Sequence, residues 1–154
     1  MLLVRPGRIR GVDIARIALE RALLPPSQAA RPSASVLGFG EGRAVACYTL
    51  AEFANEREWI EKLLGWYMRG MRQPVHAFPN CARAFAEAWV KGKGASPSQA
   101  AEKAWLEGEY PEGIDAFNAL ISRHRGEAVL DEQFEAFASE VYVPLHRMLA
   151  KVKS

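Results

Sequence analysis

Carboxylates that could bind a divalent cation lie in or beside the predicted N-terminal strands of this sequence, at Asp13, Glu41 and Glu52. A restriction-type nuclease site needs a carboxylate on one strand and an acid-x-lysine triplet on the next, so that oxygens hold Mg²⁺ while the amine assists the attacking water. The corresponding triplets here read Arg-Pro-Gly over 5–7 and Cys-Tyr-Thr over 47–49. Neither contains a carboxylate or a lysine. The sequence therefore predicts no catalytic residue, no metal site and no cofactor.

Other residue patterns associated with catalysis or ligand binding are equally weak. His76, His124 and His146 have no partner at helical spacing and no Cys-x-x-Cys pair nearby, which argues against a metal site. The segment GFGEGR spaces its glycines as G-x-G-x-G, and neither Lys-Ser nor Lys-Thr follows it. We therefore interpret it as a hairpin turn rather than a phosphate-binding loop.

Composition and charge describe an ordinary globular chain. It has 154 residues, of which 49% are hydrophobic and 25% charged, and its formal net charge is +2. This excess is too small to identify a nucleic-acid-binding protein by itself. Cys47 and Cys81 have apolar neighbours and are expected to be buried free thiols. Because no window approaches the length of a membrane span, we expect one cytoplasmic domain over 1–154 with no membrane contact.

Basic residues form three small groups that could contact DNA phosphates. They lie at the first predicted turn, at a helix end and before a glycine-rich segment: Arg5, Arg8, Arg10, Arg69, Arg72, Lys91 and Lys93. Each phosphate contact would add to a salt-sensitive affinity that does not depend on base sequence. The alternative is a solvated basic surface, or cations that complement the C-terminal ends of helices.

Tryptophans are numerous for this length and fall into two classes. Trp59 and Trp66 are seven residues apart on one predicted helix face, which indicates core positions. Trp105 lies in a polar context and is followed by Tyr110 and Pro111. These three residues are the candidates for contact with a partner protein, because amphipathic aromatic rings are enriched at interfaces.

Apolar periodicity and turn residues predict the first elements of the chain. A strand is predicted over 2–4, closed by the turn pair Pro6-Gly7, and a helix begins at Asp13 as its cap. Two apolar runs within 35–50 then form the strands of the hairpin.

A second helix is predicted from Asn55, with Glu58 completing a capping box. Its broad apolar stripe is predicted to pack on the sheet and consists of Trp59, Ile60, Leu63, Leu64, Tyr67, Met68 and Met71.

Beyond residue 79 the patterns indicate helices alone, over 80–90, 96–106 and 114–124 and from Asp131 onward. Pro144 is expected to kink or interrupt the last of these helices, whose apolar face is predicted to include Leu149. The fold class is therefore predicted as α+β. A small sheet near the N-terminus (within 1–79) packs with several helices, and 80–154 forms a helical C-terminal part.

Three stretches carry a resemblance to a known family. They are LLVRPGRIRGVDIARIALERALL, WIEKLLGWYMRGMRQPVHAFPNCARAFAEAW and RGEAVLDEQFEAFASEVYVPLHRML, in this order. Their most specific pieces are the Arg-Pro-Gly turn at 5–7, the YMRG helix end followed by Pro74 and Phe78-Pro79, and the Phe134 to Leu145 run. Together they resemble the C-terminal region of the exodeoxyribonuclease V gamma chain, the RecC subunit of the RecBCD helicase-nuclease.

The resemblance implies a PD-(D/E)XK nuclease-like fold that has lost its catalytic residues and acts in double-strand-break repair. It also implies docking to an alpha (RecD-like) chain and a beta (RecB-like) chain, and guidance of DNA in the assembled complex. Two alternatives remain open from the residues. One is a small autonomous nuclease in which Asp13, Glu41 or Glu52 converge on a metal ion. The other is a self-associating module unrelated to DNA.

Overall fold

The computed structural model of the protein describes residues 1–24, 33–39, 44–51, 55–92, 94, 96–107, 111–123 and 129–152. Several predictions fall on positions outside these described residues, namely those for Glu41, Glu52, Lys93, Tyr110 and His124.

The sheet has four strands in the spatial order β1-β2-β3-β4. The strands are β1 (Leu2–Arg8), β2 (Ala34–Phe39), β3 (Val45–Leu50) and β4 (Leu149–Val152). β1 pairs in parallel with β2, whereas β2 with β3 and β3 with β4 are antiparallel. The sheet is therefore mixed, with three N-terminal strands and one from the end of the chain, and the predicted antiparallel pair within 35–50 is confirmed.

Helices make up most of the remainder, which confirms the α+β class. They are α1 (Gly11–Ala22), α2 (Glu56–Gly70), α3 (Pro79–Lys91), α4 (Pro97–Leu106), a 3₁₀ turn (Glu112–Ile114), α5 (Ala116–Ser122), α6 (Glu132–Phe137), a π segment (Ala138–Tyr142) and α7 (Val143–Met148). No helix among the described residues is both long enough and apolar enough to cross a membrane.

Two predictions about the first elements are wrong. β1 does not close at the Pro6-Gly7 pair but runs through it to Arg8, with a shift of register between Val4 and Arg8. Proline is tolerated there because β1 is an edge strand of the sheet. Asp13 does not precede α1 but lies inside its first turn, where Oδ2 accepts a hydrogen bond from the backbone N–H of Arg10 at 2.8 Å.

The last helical region is interrupted near Pro144, as predicted. Pro144 has no backbone N–H to donate to the carbonyl four residues earlier. Just before it, the helix changes from α to π geometry in the π segment. The prediction that residues beyond 79 form helices alone is wrong, because Leu149 begins β4 rather than continuing the helix. Its partner across the sheet is Leu50, at the far end of β3.

α3 lies at the centre of the molecule. It packs against α4, α7, the π segment and α1, and its side chains Cys81, Ala82 and Phe85 are buried in the core. The backbone of α1 approaches it so closely that a Cβ atom at Gly11 would lie 2.1 Å from the Pro79 carbonyl oxygen. The packing of the two helices therefore requires glycine at this position.

The N-terminal end of α3 is capped by a side chain from elsewhere in the chain. The residue before the helix, Phe78, supplies no side-chain cap. Glu112, a buried residue of the 3₁₀ turn, accepts hydrogen bonds from the backbone N–H of Asn80 at 3.1 Å and of Cys81 at 2.8 Å. A carboxylate is stabilised here by the positive end of the helix dipole. Glu112 thus joins the 3₁₀ turn to the central helix.

Removing this carboxylate is expected to destabilise the fold. In Glu112→Ala, the buried N–H of Cys81 and the part-buried N–H of Asn80 lose their acceptor, which costs about 1 to 3 kcal/mol of unfolding free energy. Glu112→Gln keeps an acceptor oxygen and should lose less. Urea denaturation followed by circular dichroism measures the difference. Glu107→Ala, at an exposed site, is the matched control, and a loss in Glu112→Ala no larger than in this control would contradict the capping role.

Candidate interaction site

The first basic group is partly used inside the fold. Arg5 Nη1 forms an ion pair with Asp13 Oδ1 at 2.9 Å, and Arg5 Nε donates to the backbone carbonyl of Arg8 at 3.1 Å. Arg8 and Arg10 are exposed. Of this group, Arg8 and Arg10 are therefore exposed to solvent, while Arg5 positions the β1–α1 connection.

The second and third basic groups lie at the C-terminal ends of α2 and α3. The Arg69 guanidinium stacks over the Trp66 ring, 4.6 Å from its centroid. Arg72 is exposed and forms no ion pair with another residue that the structure describes. Lys91 Nζ lies 2.6 Å from Glu87 Oε1. Burial opposes the ionisation of Glu87, but the hydrogen bond and charge of Lys91 act together with the nearby charges of Arg83 and His146 to outweigh it, and they lower the pKa of this carboxyl.

The positions of a nuclease site hold structural residues. Cys47 is half-buried and pairs with Leu37 on β2 and Val152 on β4. The Thr49 hydroxyl is hydrogen-bonded to that of Ser35 at 2.9 Å. Asp13 is held by Arg5 and the Arg10 backbone. Over the described parts of the chain, no group of three or more His, Cys, Asp or Glu side chains could hold a metal ion.

Cys81 is a buried free thiol, as predicted, whereas Cys47 is only half-buried. Burial, with Glu112 beside it, raises the pKa of the Cys81 thiol far above its usual value. Since the thiolate is the nucleophilic form, Cys81 is a core residue rather than a reactive one.

Trp105, the first predicted partner contact, is half-buried at the edge of the core. Its ring lies 4.7 Å from that of Phe78, centroid to centroid. A Cβ atom at Gly113 would meet the indole at 2.8 Å, so the 3₁₀ turn lies directly against Trp105. Pro111 is also half-buried. Trp105 therefore holds the end of α4 and the 3₁₀ turn together and is less accessible than its polar sequence context indicates.

Exposed apolar side chains follow Trp105 on the end of α4 and on the next two elements of the chain. Four large ones lie on α4, the 3₁₀ turn and α5, with 63% to 74% of their surface accessible: Leu106, Ile114, Phe117 and Leu120. We call these four residues the α5 surface. The sequence does not mark them as a surface, because apolar residues at helical spacing normally indicate a core face. The signal that it does carry is a short segment, 114–124, with apolar residues three positions apart.

Hydrogen bonds fix the orientation of α5. Asp115 Oδ1 caps the helix by accepting from the backbone N–H of Phe117 at 3.0 Å and of Asn118 at 3.3 Å. Asn118 Nδ2 donates to the backbone carbonyl of Glu112 at 2.9 Å. The α5 surface is thus tied through Glu112 to the N-terminal end of α3, and acids at its border, Glu107 and Asp115, are exposed.

α2 packs on the domain through fewer residues than its apolar stripe predicts. Trp59 and Trp66 are buried, as expected, and their indole N–H groups donate to the Val141 carbonyl at 3.0 Å and to Glu140 Oε2 at 2.8 Å. The rest of the predicted stripe is half-buried (Ile60, Leu63) or exposed (Leu64, Tyr67, Met68, Met71). The prediction that the whole stripe packs on the sheet is therefore wrong. The hydrogen bonds of the two indoles fix the rotation of α2 about its own axis. Only one side of the apolar stripe then reaches the core.

A buried histidine supports the start of α6. His76 is fully buried, and its Nδ1 lies 2.9 Å from Asp131 Oδ1. The same carboxylate caps α6 by accepting from the Phe134 backbone N–H at 3.0 Å. Burial opposes the ionisation of Asp131, but the hydrogen bonds from His76 and Phe134 outweigh it and lower the pKa of this carboxyl.

This lowered pKa predicts acid sensitivity. A carboxyl whose pKa is lower in the folded state than in the unfolded chain stabilises the fold above its unfolded pKa, and this stabilisation is lost as pH falls through the folded pKa. In Asp131→Asn, the amide keeps the helix cap but loses the charge. We expect it to be less stable by about 0.5 to 1.5 kcal/mol at pH 7. Urea titrations at pH 7 and pH 3 should show this difference shrinking, and a constant difference would contradict the role of the charge.

Comparison with known proteins adds no relationship. No protein-family model matches the chain, and a search of curated proteins finds no significant match.

Proposed function

We propose that this domain is a non-catalytic protein-binding module that docks another protein through the α5 surface. The observation that carries the proposal is the exposure of Ile114, Phe117 and Leu120 on two short helical elements that are held rigidly in place. Clustered exposed apolar residues on a soluble domain mark interaction sites, because leaving them in water is unfavourable. The docking role agrees with the resemblance to the exodeoxyribonuclease V gamma chain.

The chemistry of the partner follows from the border of this surface. Apolar side chains lie at its centre, and the exposed charges beside it are of both signs, Glu107 and Asp115 with Lys103 and Arg123. A complementary partner therefore presents apolar side chains with charged groups of both signs at the rim, since opposed charges at the rim favour correct association. The resemblance names two candidates, the alpha (RecD-like) and beta (RecB-like) chains.

A role in guiding DNA rests on a second set of residues. Arg8, Arg10 and Arg72 are exposed cations that remain available for phosphate contacts. Such contacts attract DNA without reading its sequence. In the proposed complex, the enzymatic steps of unwinding and cleavage belong to the partner chains, and this domain contributes binding and geometry.

The docking role predicts the effect of two substitutions on partner affinity. Phe117→Ser combined with Leu120→Ser removes two large exposed apolar side chains of α5. Binding to a purified alpha or beta chain should weaken at least about 10-fold, because central apolar anchors carry most of an interface's energy. Isothermal titration calorimetry measures the affinity.

The matched control is Val45→Ser, which removes an exposed apolar side chain from β3, at 63% exposure. It should bind as the unmodified domain does. Two results would contradict the proposal: no binding of either chain by the unmodified domain, or equal binding by the double variant.

The DNA-guiding role predicts a change in salt dependence. Arg8→Ala with Arg10→Ala should weaken binding of linear duplex DNA and reduce the slope of log affinity against log salt by about 1 to 2. Fluorescence anisotropy at several salt concentrations gives the slope. Arg16→Ala, which removes an exposed cation already paired with Glu20, is the control.

The same DNA tests the non-catalytic assignment. Incubated with the domain and Mg²⁺ or Mn²⁺, linear duplex should stay intact. Cleavage that follows the purified domain through successive columns would instead favour the autonomous nuclease.

If the salt slope of the Arg8→Ala, Arg10→Ala variant were unchanged, these two arginines would not be DNA contacts.

A further inference from the structure

α2 has two apolar seams, and only one of them is covered. The inner seam, Trp59, Leu63 and Trp66, faces the domain and is anchored by the two indole hydrogen bonds. The outer seam begins at half-buried Ile60 and continues through Leu64, Tyr67 and Met71, of which 55%, 61% and 68% is exposed. Three apolar side chains in consecutive turns thus have most of their surface in water.

The spacing of the outer seam fits one partner helix. Its members follow one another at intervals of four, three and four residues, which is the a/d pattern of a two-helix coiled coil. A seam this narrow suits a single helix lying alongside, rather than a broad core. From Ile60 to Met71 it extends about 16 Å at 1.5 Å per residue.

We infer that the partner helix is α2 of a second copy of this chain, packed antiparallel about a two-fold axis. The axis passes between Gly65 and Trp66, so that Ile60 of each copy lies opposite Met71 of the other, and Leu64 opposite Tyr67. Each contact then occurs twice, as two-fold symmetry requires. The inference is independent of the proposed docking role, which uses the α5 surface, and it shares only Arg72 with the proposed DNA contacts.

Charge favours this arrangement. Arg72 lies in the turn that follows α2, where backbone hydrogen bonds from Met71 to the Tyr67 carbonyl and from Gln73 to the Arg69 carbonyl continue the helical path. Because Glu61 is eleven residues earlier, close to three full turns, the two residues lie on the same side of this helical path. In the antiparallel pair Glu61 of one copy lies beside Arg72 of the other, twice. A parallel pair would separate these two charges by about 16 Å along the axis.

Both charged residues are accessible for this contact. Arg72 is exposed and has no ion pair with any residue of the described segments. Glu61 forms an exposed i,i+4 pair with Arg57 at 3.0 Å. Exposed pairs of this kind contribute little, so Glu61 can exchange its partner at small cost.

Analytical ultracentrifugation of the full chain tests the apolar seam. Over about 5 to 500 µM, a range suited to a small interface, the unmodified protein should pass from monomer to dimer. Leu64→Asp should weaken dimerisation at least about 10-fold, because two carboxylates enter the centre of the interface. Val45→Asp places a carboxylate at an exposed apolar residue of β3, outside both α2 and the α5 surface, and should dimerise as the unmodified protein does.

Charge reversal tests the orientation of the helices. Arg72→Glu alone and Glu61→Arg alone should each weaken the dimer, and the double variant should recover most of the affinity. A protein that stays monomeric at the highest concentration would overturn the inference, as would a Leu64→Asp variant that dimerises normally. A double variant no stronger than the single ones would overturn the antiparallel arrangement.

Discussion

The contact on which the structure most depends is the carboxylate of Glu112 at the N-terminal end of α3. It accepts hydrogen bonds from the backbone N–H groups of Asn80 and Cys81, for which the residue before the helix supplies no side-chain acceptor. On the other side of the same helix end, Asn80 accepts from the Gly11 backbone and Arg83 donates to the Ile9 carbonyl. The β1–α1 connection, α1, α3 and the 3₁₀ turn therefore meet at one largely buried polar junction. Buried polar groups of this kind specify one arrangement because each loses its water if misplaced.

The proposed binding surface is a consequence of this junction. Because Glu112 fixes the 3₁₀ turn and its carbonyl accepts from Asn118, α5 is held although it is only seven residues long. An isolated helix of this length is unstable in water. The apolar residues Ile114, Phe117 and Leu120 can thus be presented to solvent in a fixed orientation. A pre-formed surface binds more tightly than a mobile one, since less conformational entropy is lost on association.

Sequence patterns predict best those elements whose ends are determined by residues close by in the chain. The helix predicted over 96–106 is α4, which begins at Pro97 with Ser96 as its cap, and Ser96 and Gln99 form a capping box. β4 was not predictable in this way, because its four residues form a strand through pairing with β3. At the candidate site, the sequence predicts a partner contact around Trp105. Exposed apolar residues do lie in this part of the fold, but Trp105 itself is half-buried. Burial depends on which face of α2 or α5 the rest of the fold covers, and apolar periodicity alone does not contain that information.

Hydrogen–deuterium exchange of the domain, alone and bound to an alpha or beta chain, tests the docking claim most directly. Amide protection follows both burial and hydrogen-bond stability. The account predicts that binding slows exchange in the 3₁₀ turn and α5, over 112–122, with little change along the β1 edge of the sheet. Slower exchange confined to the sheet or to α1, with 112–122 unchanged, would contradict it.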